Sequence, residues 1–311
     1  MKAVRIHAYG GSEMLHYEDV PIPTPGSGEV LIQVHAAGVN PIDWKIREGW
    51  LQQVFNYPLP VIIGTDVAGV VHAIGEGVTT LQPGQPVYGV VAMTLSGAYA
   101  EYALGHEWAI APKPKTLNHV QAAAVPIVAM TAWQALFDVG QLQAGQSVLI
   151  HGAAGGVGSF AVQFAKAQGI RAICTASSQN VDYVRALGAD DVIDYQTTVF
   201  EHTIHDVDMV LDLVGGDTQA RSWNVLKSGG ILVSTAAPPS EEMATQHQVR
   251  TAMMMVQPKA SLLTEIANLI DAGQLKVNIE QVFPLADARQ AQELSQQGHP
   301  RGKIVLQAIA G

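Results

Sequence analysis

The chain has 311 residues, more than one typical domain, so its length favours two domains or one large α/β unit. Hydrophobic residues make up 48% and charged residues 14%, which excludes long disordered or coiled-coil segments, and a formal net charge of −10 disfavours nucleic acid and anionic lipid as partners. The single cysteine, Cys174, cannot form an intramolecular disulfide. No apolar leader follows Met1, and the longest apolar stretch, 120–137, is broken by Gln121, Pro126 and Gln134. The expectation is a protein of a reducing, cytoplasmic compartment with no signal peptide and no membrane span.

From residue 1 to about 115, short β-like runs alternate with Gly/Pro turns: KAVRIHAY, GEVLIQVHAAGV, VIIGTDVAGVVHAIG, QPVYGVVA and GAYAEYAL. Regular short strands of this kind predict a partly open barrel. At APKPKTLNHVQAAAVP the prolines give way to an alanine-rich helical stretch, 120–136, which marks a domain boundary. Strands and helices then alternate: SVLIH, a helix over 156–168, RAICTAS, a helix over 181–187 ended by Gly188, DVIDY, VDMVLDLV, a helix near 218–226, and GGILVSTA. Apolar strands separated by helices of this size predict a doubly wound parallel sheet. Residues 261–272 read as a helix capped by Gly273, and GKIVLQAI as a last strand returning to the first domain.

The strand SVLIH runs into HGAAGGVGS and an Ala/Phe-rich helix. Gly155 and Gly158 take the second and third places of a Gly-x-Gly-x-x-Gly fingerprint, with Ala153 at the first. In that pattern Ala154, Gly155, Gly156, Val157 and Gly158 form a turn whose backbone approaches a pyrophosphate at a helix N-terminus. At the end of the second strand, where an NAD site carries an acid for the ribose 2′-hydroxyl, the chain reads Cys174-Thr175-Ala176-Ser177-Ser178-Gln179-Asn180. Ser177, Ser178 and Asn180 can donate hydrogen bonds there, and Tyr195 can add another, so NADPH is expected over NADH. Val214-Gly215 and Ser234-Thr235-Ala236 follow two further strands at carboxyl ends where open α/β sheets bind ligands, which adds Val214, Gly215, Ser234 and Ala236 as cofactor contacts.

The segments AAGVNPIDWKIREG, GTDVAGVVHAIGEGV, AAAVPIVAMTAW, HGAAGGVGSFAVQFAKAQG, LGADDVIDY, VLDLVGG and HPRGKIVLQ span nearly the whole chain in order. Together they resemble the medium-chain dehydrogenase/reductase superfamily, in its zinc-independent, zeta-crystallin-like quinone oxidoreductase branch. The resemblance implies a GroES-like catalytic domain, 1–118, completed by 261–311, a Rossmann domain, 119–260, and NADPH held in the cleft between them. Zinc-dependent relatives carry Cys where Asn40 stands and His-Glu where Thr65-Asp66 stand, so two zinc ligands are missing. Gly105-His106-Glu107 reads as a chance match in a loop, and His202 and His205 as surface histidines.

A metal-free reduction of a quinone or an α,β-unsaturated carbonyl needs a positioned hydride donor and hydrogen bonds to the developing oxyanion. The resemblance places Asn40 and Lys45 near the nicotinamide, Thr131 beside its carboxamide, and Lys303 facing the cofactor. Taken alone, Lys303 reads as a strand-edge lysine and Lys45 as a solvated one. Asp43 can orient Lys45 through an ion pair. Trp44, Trp50, Phe55 and Tyr57 lie within fourteen residues, as a pocket for a flat substrate or as core, and Tyr57 can also donate a proton. The expected activity is therefore an NADPH-dependent quinone or enone reductase acting on small molecules, a homodimer without nucleic-acid or membrane partners. The competing expectation is an NADPH-binding sensor or structural protein with little turnover.

Overall fold

The computed structural model describes residues 1–54, 57–94, 96–298 and 300–309. The chain divides into two compact units, one of Met1–Ile127, Pro258–Gly273 and Val277–Gly311, the other of Val128–Gln257 and Gln274–Lys276. Elements are numbered along the chain through both. Among the described residues no helix is long and apolar enough to cross a membrane.

The first unit holds β1 (Lys2–Ile6), β2 (Leu15–Asp19), β3 (Glu29–Val39), β4 (Val61–Ile62), β5 (Asp66–Ile74), β6 (Pro86–Val90), β7 (Tyr102–His106), β8 (Ile110–Pro112), β15 (Ile279–Pro284) and β16 (Lys303–Gln307). Among the described residues, one sheet runs β15-β16-β3-β5-β6-β8 with β7 also on β3, and a smaller one runs β2-β1-β4. The long strand β3 is the hub: its first half pairs with β7 and its second half with β16, where Ile304 lies opposite Val39. Ile6, Ile32, Val34, Ile63, Val67, Ile304 and Leu306 build the core. The run VIIGTDVAGVVHAIG, read as one strand, is two, because Gly64 has φ of +92° and a Cβ there would lie 2.2 Å from the Tyr99 ring. Helix α1 (Pro41–Arg47) begins with Asn40 extended and Pro41 at its first position, and the Asp43 side chain accepts the Asn40 N–H at 2.8 Å. Arg47, with no exposed surface, donates to Gly10 O, Glu48 Oε1 and Gln292 Oε1, the last on a helix at 288–296 that the sequence reading did not predict.

The stretch 120–136 is not one helix. It divides into α2 (His119–Ala123) and α3 (Pro126–Trp133), followed by a π-helical turn, Gln134–Val139. Pro126 lacks an N–H to continue α2 and starts α3 instead. Residues 119–127, grouped by sequence with the second domain, lie with the first unit, since α2 packs so closely on β3 that a Cβ at Gly38 would lie 2.4 Å from Ala123 O.

In the second unit β9 (Ser147–Ile150), β10 (Arg171–Ala176), β11 (Asp191–Asp194), β12 (Val207–Asp212), β13 (Leu226–Ser234) and β14 (Arg250–Met253) form one parallel sheet in the order β11-β10-β9-β12-β13-β14. Counted from β9 this is the 3-2-1-4-5-6 order of dinucleotide-binding sheets, whose switch point falls between β9 and β12. Apolar residues line both faces of the strands, with Leu149, Ile173, Val210 and Leu232 in one cluster. Helices α4 (Gly156–Ala167), α5 (Val181–Ala186), α6 (Gly216–Ser222) and α7 (Glu241–Gln246) join the strands. The helix expected near 218–226 is shorter: α6 ends at Ser222, and Trp223 and Val225 turn into the core before β13 begins at Leu226. In the first unit, α8 (Ala260–Asp271) and α9 (Ala288–Gln296) complete the list.

Candidate functional site

In the second unit the glycine turn opens at the end of β9. His151 there is fully buried between the hydroxyls of Thr175 and Ser222, each 3.0 Å from a ring nitrogen, and burial holds its pKa down to about 4. The ring is therefore neutral and anchors the turn. Gly155 precedes α4, and the first-turn N–H groups of Gly156, Val157 and Gly158 have no acceptor within the helix. A Cβ at Gly155 would meet only Gly152 O, at 3.4 Å, whereas one at Gly158 would lie 2.3 Å from Gly152 O and 2.6 Å from Ala153 Cα. Gly155 thus leaves room for a ligand and Gly158 lets the helix pack on the turn. Ala154 is buried beside them, and Thr131 is 6% exposed on α3.

Around the switch point the organising residue is one the sequence reading missed, Asp212. Fully buried at the end of β12, it accepts the N–H groups of Val214 and Gly215 at 3.0 and 2.8 Å on Oδ1. Its Oδ2 accepts the Ser234 hydroxyl at 2.8 Å, and Ser234 Oγ in turn accepts the Ala236 N–H at 3.1 Å. Val214, Gly215, Ser234 and Ala236 therefore share one hydrogen-bonded scaffold, in which Ser234 is fully buried and Val214 exposed. An acid closing an apolar strand was the available signal, since a carboxylate persists in such a place only when hydrogen-bonded.

At the ends of β10 and β11 four predicted residues gather. Asn180 Nδ2 donates to Ser177 Oγ at 3.1 Å, the Tyr195 N–H donates to Ala176 O at 3.1 Å, and the Tyr195 side chain is exposed. Ser178 Oγ lies 2.5 Å from Asp194 Oδ2 and 2.9 Å from Gln196 Oε1. The loop itself carries no acid, but the strand beside it does.

The first unit holds a separate buried polar cluster. Lys303, 4% exposed, is no strand-edge lysine: its Nζ donates to Val39 O and Asn40 Oδ1 at 2.6 Å and lies 3.3 Å from Asp66 Oδ2. Asn40 Nδ2 donates to the same Asp66 oxygen at 2.8 Å, and the Ile127 N–H donates to Asp66 Oδ1 at 2.8 Å. Burial raises the Asp66 pKa, with Lys303 opposing it. Asp43 does not orient Lys45; its carboxylate caps α1 and accepts the Tyr99 hydroxyl at 2.9 Å, and burial pushes its pKa up to about 7. Lys45 is half-buried with its Nζ 5.6 Å from the Trp44 ring centre. Trp44 and Trp50 meet edge to face at 5.1 Å, Tyr57 is partly buried against the core, and Phe55 lies outside the described residues.

These residues do not fit zinc. Asn40 and Thr65 are poor zinc donors, and of the two carboxylates beside Asn40, Asp66 is engaged by the Lys303 ammonium and Asp43 by the Asn40 N–H and the Tyr99 hydroxyl. Among the described residues no three His, Cys, Asp or Glu side chains come together as a metal site. The glycine turn, by contrast, fits a dinucleotide, through the open space at Gly155 and the free N–H groups behind it.

Residues 26–115 match the model of the alcohol dehydrogenase GroES-like domain, and residues 187–306 that of a zinc-binding dehydrogenase. The mitochondrial NAD(P)H oxidoreductase RTN4IP1 of Mus musculus is 35% identical over 99% of this chain and 89% of its own length. The chloroplast envelope quinone oxidoreductase homolog of Arabidopsis thaliana is 31% identical over 99% of this chain and 98% of its own. Among solved structures, the quinone oxidoreductase from Coxiella burnetii superposes with a TM-score of 0.94 at 35% identity, covering 99% of both chains. The Escherichia coli quinone oxidoreductase, solved with NADPH, does so with a TM-score of 0.89 at 28% identity, covering 99% of this chain and 100% of its own. The chain belongs to the quinone oxidoreductase branch of the medium-chain dehydrogenase/reductase superfamily.

Proposed function

We propose that the protein is an NADPH-dependent reductase of quinones or α,β-unsaturated carbonyls that works without a metal. The observation that carries this reading is the glycine turn at the start of α4, with the Gly155 position open to a ligand and Gly158 closed by packing. NADPH, when bound, supplies the hydride. Ala154 to Gly158 bind the pyrophosphate, Val214, Gly215, Ser234, Ala236 and Thr131 line the cofactor, and Ser177, Ser178, Asn180 and Tyr195 bound its adenosine end. Lys45 serves as the hydrogen-bond donor to the substrate oxygen, its ammonium lying 5.6 Å from the Trp44 ring centre. Tyr57 is the proton donor, its phenol kept protonated by a pKa that burial raises. Asn40 and Lys303 are positioning residues that hold the end of β3 at the start of α1. We also propose a homodimer, supported by β14 at the sheet edge with Met253 and Met255 about half exposed beside it, and a reducing, cytoplasmic location, supported by the single cysteine, Cys174.

The test follows the loss of reduced-nicotinamide absorbance across a panel of quinones and enones, before and after exhaustive chelation. Turnover that survives chelation supports the reading. Cofactor fluorescence quenching without turnover on any member would replace it with a binding role, and activity lost on chelation and restored by zinc would overturn the metal-free mechanism.

A further inference from the structure

We propose that Asp194 is a specificity-determining residue that narrows this protein's preference for NADPH over NADH. The proposal rests on the cofactor reading above. In a sheet of this order, the loop after the second parallel strand meets the adenosine ribose, and the charge carried there sorts the two cofactors. An acid accepts the 2′-hydroxyl of NADH, and a cation holds the 2′-phosphate of NADPH. Residues 177–180, Ser-Ser-Gln-Asn, carry neither.

Strand pairing changes that balance. The parallel register sets Ala176, the last residue of β10, against Asp194, the last of β11, so the residues following each strand meet. Ser178 Oγ donates to Asp194 Oδ2 at 2.5 Å, with Gln196 Oε1 as a second acceptor at 2.9 Å. A hydroxyl has one proton, and this one is already committed, so Ser178 presents an incoming phosphate with lone pairs instead of a donor. The Ser178 N–H is likewise taken, by Gln196 Oε1 at 3.1 Å, and the Gln196 N–H holds Asp194 Oδ1 at 3.0 Å, which fixes the carboxylate in place. The nearby cation does not compensate: Arg185 pairs with Asp182 at 3.2 Å, and Arg171, paired with Asp191, stands at the opposite end of β10. A partly exposed carboxylate therefore stands beside the place where a 2′-phosphate would bring about two further negative charges. It repels that phosphate and can accept a ribose 2′-hydroxyl, the task an acid on the loop performs elsewhere.

The test measures dissociation constants for NADPH and NADH, by fluorescence titration, with the unmodified protein and with Asp194→Asn and Asp194→Ala. Asp194→Asn removes the charge and lets its amide donate to Ser178, while the serine proton can still turn to Gln196 Oε1. NADPH should bind about 5- to 20-fold tighter, while NADH binding stays the same or weakens as the charged acceptor for its 2′-hydroxyl is lost. Ordinary phosphate binding weakens with salt, but in the unmodified protein the NADPH-to-NADH affinity ratio should rise as salt screens the repulsion, and this rise should vanish in both variants. An unchanged ratio in the variants overturns the proposal. If neither variant folds, a ratio in the unmodified protein that falls with salt overturns it. Failure of the unmodified protein to bind either cofactor would instead defeat the cofactor reading and, with it, this inference.

Discussion

Two glycines three residues apart should fail in opposite ways when each gains a side chain. At Gly155 φ is −75°, ordinary for any residue, and the added Cβ meets only Gly152 O at 3.4 Å. Gly155→Val should therefore cost under about 1 kcal/mol of stability, the scale of an N-cap change, while its methyl groups cover the N–H groups that an anion needs. Losing two or more charge-assisted hydrogen bonds should weaken cofactor binding at least about 100-fold. At Gly158 the Cβ would overlap backbone, at 2.3 Å from Gly152 O and 2.6 Å from Ala153 Cα, so α4 must move off the turn. Gly158→Ala should cost about 3 kcal/mol and lower Tm by about 5–10 °C, before any ligand is considered. Thermal melts followed by circular dichroism, with and without cofactor, read both quantities. A Gly155→Val protein that binds normally, or a Gly158→Ala protein that melts like the parent, would refute the division of labour between the two positions.

Lys45→Ala should lower kcat for enone or quinone reduction about 10- to 100-fold with little change in Tm, and unaltered kinetics would remove it from the mechanism. Lys303→Met strands the fully buried Asp66 carboxylate and should cost about 3–5 kcal/mol in denaturant unfolding; adding Asp66→Asn should recover more than half of that loss. His151 protonates in the unfolded chain near pH 6.5 but in the folded protein only near pH 4, so between these values the unfolded state binds more protons. Its contribution, about 3 kcal/mol, is full above pH 6.5 and lost as the pH falls toward 4. His151→Gln should show a correspondingly flatter loss of stability between about pH 7 and 4.5, read against the parent so that Asp43, whose raised pKa acts with the opposite sign, cancels. Ser177→Asp adds a second negative charge at the adenosine end and should favour NADH over NADPH in paired titrations.

What the sequence announces is local. The glycine turn, its strand and its helix are contiguous, so Gly155 and Gly158 can be assigned roles from spacing alone, and the βα alternation gives the parallel sheet. What it conceals depends on register and on distant partners. Asp194 reaches Ser178 only because β11 pairs with β10 in one register, and a one-residue slip would turn its side chain to the other face of the sheet. Lys303 and Asn40 are 263 residues apart, so nothing near RGKIV shows that its lysine is buried. The helix ARQAQELSQ carries a weak signal because only Ala288, Ala291 and Leu294 mark its apolar stripe, while its Gln292 is buried to receive Arg47.

The pairing of β16 with β3 carries a consequence for how the polypeptide is made. All of the second unit but 274–276 leaves the ribosome as one uninterrupted block, 128–257, whose sheet can fold as it emerges. The first unit cannot close in that order, because the second half of β3 and the carboxylate of Asp66 await Lys303, 237 residues downstream of that aspartate. Throughout that interval the nascent chain shows an open, uncharged strand edge, Ala36-Ala37-Gly38-Val39, beside a negative charge with no counter-ion. It is the stage of biogenesis at which a chaperone or a faster final stretch of translation would most reduce misassembly with neighbouring nascent chains.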